Sequence, residues 1–199
     1  MNIVIVDTGC ANLASVYFAL QRLGYSAQIS HAKHALQQAD RLILPGVGSA
    51  ASAMQQLQRL ALIEQLQRCQ QPLLGICLGM QLLAKHSEEQ GMIPLLGIIA
   101  SDVKKLSVKQ QPLPHMGWNQ VTFTQPHPLF KQIANQSYFY FVHSYALPIT
   151  TNTLASCHYG TDFSAIVQKD NFYGVQFHPE RSAKAGSQLL DNFIKETTL

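Results

Sequence analysis

Four consecutive β-branched residues, Ile3–Val6, open the chain and give way to Asp7-Thr8-Gly9, the pattern of a buried parallel strand ending in a turn. After Asn12, apolar residues at Leu13, Val16, Tyr17, Leu20 and Leu23 recur at three- and four-residue spacing. This predicts a helix, with Asn12 as its N-cap and Gly24 as its C-cap. Ala27–Ser30 and residues 41–44 read as two further strands, the second stopped by Pro45-Gly46. Residues 51–70 carry Met54, Leu57, Leu60, Ala61, Ile63 and Leu66 at helical spacing, with Pro72 beyond the end. A fourth strand is expected at residues 73–76 and a helix at 78–85. Strands alternating with helices in this way indicate a parallel sheet with right-handed crossovers.

Beyond Gly91 the pattern changes from helical to alternating. Strands are expected at residues 98–106, 120–123, 138–147, 153–159, 163–168 and 174–177, separated by Pro, Asn and Gly turns. A closing helix over residues 183–195 starts at Ser182 as its cap and carries Leu189, Leu190, Phe193 and Ile194 on its apolar face. No internal repeat or low-complexity linker interrupts the chain. The expectation is one domain over residues 1–199, of α/β class and three layers: a mainly parallel central sheet flanked by helices, with additional antiparallel strands in the second half.

Composition narrows the partners. At 199 residues and 47% apolar content the chain can build a core, so disorder is excluded. Only 13% of residues are charged, against about 25% in an average domain, and glutamine fills many helix positions where Glu or Lys is usual. Gln and Glu have similar helix propensities, so this carries no function. With a net charge of +3 and no run of Lys or Arg longer than two, neither nucleic acid nor a membrane surface is indicated as a partner. No apolar run approaches membrane-spanning length and no signal-like N-terminus is evident, so a soluble cytoplasmic protein is expected. Cys10, Cys69, Cys77 and Cys157 have no C-x-x-C spacing, which argues against zinc sites and redox pairs. Neither a metal nor another cofactor is expected.

One cysteine stands apart. Cys77 lies in Gly75-Ile76-Cys77-Leu78-Gly79, directly after an apolar strand and before a helix. A nucleophile on so tight a turn needs small residues two before and two after it, because strand and helix pack against those positions. The helix start favours a thiolate and offers the Leu78 N–H to an oxyanion. A catalytic Cys needs a His to move its proton, and that His needs a group to fix its tautomer. Of eight histidines, His178 is the one placed at the end of an apolar strand, in Gly174-Val175-Gln176-Phe177-His178-Pro179-Glu180. There Pro179 turns the chain, and Glu180 can fold back on the imidazole.

The segments Gly75-Ile76-Cys77-Leu78-Gly79-Met80-Gln81 and Gln176-Phe177-His178-Pro179-Glu180 together resemble the class I, triad-type glutamine amidotransferases, over essentially the whole chain. The resemblance implies Cys77 as nucleophile on the glutamine side-chain amide, His178 as base and then acid, and Glu180 as its orienter. Three further segments look like the glutaminase subunits of imidazole glycerol phosphate synthases: Leu44-Pro45-Gly46-Val47-Gly48, Pro114-His115-Met116-Gly117-Trp118-Asn119 and Tyr140-Phe141-Val142-His143-Ser144-Tyr145.

From these the resemblance implies oxyanion donors at Gly46, Val47 and Gly48. It also implies glutamine contacts at Gln81, Glu89, Ser144 and Tyr145, and a partner-facing segment at His115, Met116, Gly117, Trp118 and Asn119. The implied partner is a (β/α)₈-barrel cyclase subunit in a heterodimer, whose ligand raises a weak basal glutaminase activity. The sequence departs from the family at Thr8 and Ala11 within Asp7-Thr8-Gly9-Cys10-Ala11-Asn12, and at Ser49-Ala50-Ala51, which is smaller than usual. An amidotransferase of another pathway and a free-standing cysteine hydrolase of the same fold remain as alternatives.

Overall fold

The structure is a computed structural model and describes residues 1–9 and 12–197. Cys10 and Ala11 lie outside the described residues. In the first half the elements run β1 (Ile3–Val6), α1 (Leu13–Arg22), β2 (Ala27–Ser30), α2 (Lys33–Gln37), β3 (Arg41–Gly46), α3 (Ala50–Arg59), α4 (Ile63–Gln67), β4 (Leu73–Cys77) and α5 (Leu78–Gln81). The second half adds β5 (His86–Ser87), β6 (Ile93–Pro94), β7 (Asp102–Lys105), β8 (His115–Gln120), β9 (Thr122–Phe123), β10 (Tyr138–His143), β11 (Tyr145–Ala146), β12 (Thr153–Tyr159), β13 (Thr161–Lys169), β14 (Phe172–Val175) and α6 (Ala183–Glu196).

An 8-stranded central sheet has the order β2-β1-β3-β4-β14-β13-β12-β9. β2, β1, β3, β4 and β14 run parallel, and β13, β12 and β9 continue the sheet antiparallel. Period-two alternation splits the core between its two faces. Ile3 and Ile5 of β1 join Val16 and Leu20 of α1 and Leu189, Leu190 and Phe193 of α6 on one side. Val4 and Val6 join Leu36, Leu57 and Leu66 of α2, α3 and α4 on the other. Helices therefore cover both faces, and the expected three-layer α/β fold with an antiparallel extension is present. β8 and β10 form a separate two-stranded ribbon, and β11, β7, β5 and β6 a small sheet of their own.

Several boundaries differ from the sequence reading, each for a local reason. β3 continues through Pro45 and Gly46, which pair with Ile76 and Cys77. β1 runs beside β3 only as far as Ile43, so the missing N–H of Pro45 interrupts no ladder on that side. The single helix expected over residues 51–70 is two, α3 and α4, broken at Ala61 with φ 54°. Residues 78–85 make only one helical turn, because the N–H groups of Leu83 and Ala84 close i−3 bonds to Met80 and Gln81, and Lys85 N–H turns away to the Ser101 carbonyl. The strand expected over 98–106 shrinks to β7. The one expected over 120–123 separates into the end of β8 and β9, and 138–147 divides at Ser144 into β10 and β11. The short helix α2 was not foreseen.

Asn12 caps α1 as expected, its Oδ1 accepting from Ser15 N at 3.3 Å. Ser182, by contrast, sits at the N-cap of α6 without using its side chain there. Its hydroxyl accepts from Tyr140 N at 2.9 Å and donates to the His178 carbonyl at 2.6 Å, tying α6 to the end of β14 and to β10.

Candidate active site

Three glycines let β3, β4 and α5 meet closely enough to force the turn at Cys77. A Cβ on Gly79 would overlap the Leu44 carbonyl oxygen, one on Gly75 would lie 2.5 Å from the Gly79 oxygen, and one on Gly46 would lie 2.9 Å from Gly79 N. Cys77 itself takes φ 54° and ψ −110°, a conformation that side-chain-bearing residues hold only when their surroundings impose it. The expected elbow is therefore present. Only one helical turn stands behind it, so local N–H groups rather than a long helix dipole supply its polarity. Cys77 Sγ lies 3.8 Å from the Val142 carbonyl and 3.8 Å from Gln176 Nε2.

β14 runs parallel to β4, with Val175 opposite Ile76, and the chain past it delivers His178 beside Cys77. The His178 N–H donates to the Tyr140 carbonyl at 2.9 Å, and its Nδ1 is 2.9 Å from Glu180 Oε1. Pro179 begins a single 3₁₀ turn, Pro179–Arg181, which folds Glu180 back under the ring. Both side chains are largely buried, 13% and 5% exposed, and the second carboxylate oxygen, Oε2, has no protein partner. Burial works against an imidazolium at His178, but the hydrogen bonds it donates to Cys77 and Glu180, together with their negative charges, outweigh it and raise its pKa to about 10. His178 is thus held as an imidazolium beside the Cys77 sulfur. Burial pushes the thiols of Cys69 and Cys157 up, to about 11 and about 12, which keeps them protonated and unreactive.

A cavity of about 340 Å³ opens on Cys77 and His178. Its walls include Val47, Gly48 and Leu78 on the elbow side, Gln81 and Glu89 on another, and Ser144 and Tyr145 opposite. Gln81 Nε2 donates to the Tyr145 carbonyl at 2.8 Å, and Glu89 Oε2 accepts from Ala50 N at 2.8 Å at the start of α3. Every residue that the sequence reading assigned to substrate is gathered here. Gly46 is not: it lies inside β3, paired with Cys77, and borders a smaller cavity of about 180 Å³ on which Pro45, Val47, His178, Glu180 and Arg181 also open. Val47 and Gly48, the latter with φ +92°, are the loop residues that face the larger cavity.

The class I glutamine amidotransferase family model matches residues 4–197. The chain belongs to the class I glutamine amidotransferase family. Within it, the chain is 57% identical, over 98% of its length and 100% of the relative's, to the imidazole glycerol phosphate synthase subunit HisH of Pectobacterium atrosepticum. It is 55% identical over the same shares to HisH of Salmonella typhimurium, and 53% identical to HisH of Vibrio cholerae over 98% of each chain. Solved structures with the same fold include a glutamine amidotransferase and PurLQS from Thermotoga maritima. The first has TM-score 0.75 and 18% identity over 97% of both chains; the second has TM-score 0.70 and 15% identity, again over 97% of both.

The segment expected to face a partner divides in two. On this amidotransferase β8 presents Met116 and Trp118 to solvent, Trp118 with 51% of its surface exposed, and turns His115 and Asn119 inward. His115 is buried, so only alternate residues of the stretch are open to another protein. Gln176 belongs to the His178 motif, yet sequence reasoning assigned it no role. In the sequence it shows only as a polar residue between Val175 and Phe177; the structure buries it fully, so it needs polar partners and finds them in Gln81 and Cys77.

Proposed function

We propose that this chain hydrolyses glutamine to glutamate and ammonia at Cys77 and passes the ammonia to a (β/α)₈-barrel cyclase subunit bound to it as a heterodimer. Together the two form an imidazole glycerol phosphate synthase of histidine biosynthesis, acting in the cytoplasm. The observation that carries this reading is the junction of Cys77, His178 and Glu180, with Cys77 and His178 in the wall of the larger pocket and Glu180 behind the imidazole. The Cys77 thiolate adds to the side-chain amide carbon, and the Val47–Gly48 loop and the Leu78 N–H take the oxyanion. The tetrahedral adduct collapses as the His178 imidazolium protonates the departing nitrogen, leaving a thioester and releasing ammonia. His178, now neutral, takes a proton from water as that water attacks the thioester; collapse returns glutamate and thiolate. Glu180 holds Nδ1–H throughout and balances the charge on the ring.

The cavity beside Glu180 and Arg181 shares His178 with the substrate pocket and offers ammonia a way out. The partner's seat is the outer face of the β8–β10 ribbon, where Met116, Trp118 and Tyr138 are exposed, Trp118 packs edge-on against Tyr140, and Arg181 lies over the Tyr140 ring. Exposed aromatics beside an arginine are typical anchors of a protein interface. Cys77→Ala is expected to abolish glutamine hydrolysis with and without partner. Residual glutaminase in that variant, or cleavage of peptides by the unpartnered wild-type chain, would overturn the assignment.

A further inference from the structure

Two buried histidines take no part in the amide chemistry yet stand against the pocket. His143 lines it, and His115 lies behind, stacked between Phe141 at 4.9 Å and Tyr159 at 4.0 Å between ring centroids. His143 Nδ1 is 3.0 Å from the Tyr145 carbonyl oxygen, His115 Nδ1 is 3.1 Å from His143 Nε2, and Asn119 Nδ2 is 3.3 Å from His115 Nε2. The direction of these bonds follows from their ends. A carbonyl only accepts, so His143 carries its proton on Nδ1. Burial lowers the pKa of His143 to about 3 and that of His115 to about 4, so each ring holds one proton. His143 Nε2 is then bare and accepts from His115 Nδ1–H, which leaves His115 Nε2 to accept from Asn119. Asn119 Nδ2 is oriented by the His158 carbonyl at 2.9 Å. Beyond Tyr145 the bonding continues: its carbonyl also accepts from Gln81 Nε2 at 2.8 Å, the same amide reaches Gln176 Oε1 at 3.1 Å, and Gln176 thereby turns its own Nε2 towards Cys77 Sγ.

We propose that His143, backed by His115, is a positioning residue of the glutamine site: two Nδ1-protonated imidazoles in series fix the Tyr145 carbonyl, and through it the Gln81 and Gln176 amides beside Cys77. The inference rests on assigning this pocket to glutamine. Backbone that contacts substrate alike in ground and transition states affects KM rather than kcat. Removing the Nδ1–H donor should therefore weaken glutamine binding while leaving the chemical step.

The direct test is ¹⁵N NMR of the full chain with ring-labelled histidine at pH 7. Both His115 and His143 are expected to show the proton on Nδ1 and a bare Nε2, the minority tautomer of histidine in water. A proton on Nε2 of either ring, or on both nitrogens, overturns the proposal. Kinetics supply the second test. His143→Asn keeps an amide N–H near the Nδ1 position and should leave the KM for glutamine within about threefold. His143→Gln moves the amide to the Nε2 position and should raise KM about tenfold with kcat within about threefold. Equal KM values in the two variants would assign the histidine a purely structural part. Should the variants not fold, the NMR of the wild-type chain decides alone. Failure of the wild-type chain to hydrolyse glutamine would remove the pocket's assignment, whereas the tautomers would still be read.

Discussion

At the scale of single residues, the site is held by contacts that tolerate almost no added atoms. Gly79 is the tightest, since its missing Cβ leaves room for the Leu44 carbonyl. Gly79→Ala must push β3 away from the elbow, and it should cost about 3 kcal/mol or more, beyond the roughly 1–3 kcal/mol of ordinary overpacking. Urea unfolding of the variant against wild type measures this. Titration of His178 provides a second expectation. Its folded pKa of about 10 exceeds the unfolded value of about 6.5. A raised pKa means that the folded state binds the proton more tightly, so this stabilisation is complete below about pH 6.5 and disappears as pH rises through about 10. Unfolding free energies of wild type and Cys77→Ala, followed from pH 6 to 10, should converge at the alkaline end, because the thiolate is one of the causes of the shift. Parallel curves would contradict a contribution of Cys77 to the raised His178 pKa. Glu180→Gln preserves shape but loses the charge behind the imidazole, and kcat should fall by about 10² to 10⁴ with little change in KM, read by ammonia release.

At the scale of elements, the position of a break matters more than the propensity of the residues around it. Residues 51–70 have helical periodicity from end to end, yet the chain turns at Ala61, where φ is 54°. A residue with a Cβ pays about 1 kcal/mol or more for that conformation. Ala61→Gly is accordingly expected to be neutral or to stabilise by up to about 1 kcal/mol, once the greater freedom of glycine in the unfolded chain is deducted. Ala53→Gly, in the middle of α3 and buried, should destabilise by about 1 kcal/mol or more. Thermal melts of the two variants should therefore differ in sign. The same principle explains α5. Its sequence could continue helical to residue 85, but Ser101 comes in from a distance and its carbonyl takes the Lys85 N–H that a longer helix would use, while residues 96–99 bind the carbonyls of residues 82–84. That shortening keeps Gln81 at the end of the turn, where its amide meets the Tyr145 carbonyl from β11.

At the scale of the molecule, the ribbon β8–β10 has two duties. Its inner face carries His115, Phe141 and His143 towards the core and the pocket, and its outer face carries Met116, Trp118 and Tyr138. Trp118→Ala removes an exposed ring, so stability should change by no more than about 0.5 kcal/mol. Affinity for the cyclase subunit should fall at least about tenfold, as for an interface anchor. Titration of the purified partner measures the second effect, and unchanged affinity would move the interface elsewhere.

Much of this architecture was legible beforehand. The strands of the parallel half announce themselves as short apolar runs, and the elbow and the His178–Glu180 turn depend on local stereochemistry that a few adjacent residues specify. Sequence alone thus determined the fold class and singled out Cys77, His178 and Glu180, which the fold brings together. Tertiary structure alone decided which strands left the central sheet, where residues 51–70 break, that His115 and Asn119 face inward while Trp118 faces out, and that Gln176 and His143 stand beside the pocket. Those outcomes depend on which distant groups take each backbone hydrogen bond and which face of a strand a core covers, and neither is written in the neighbouring residues.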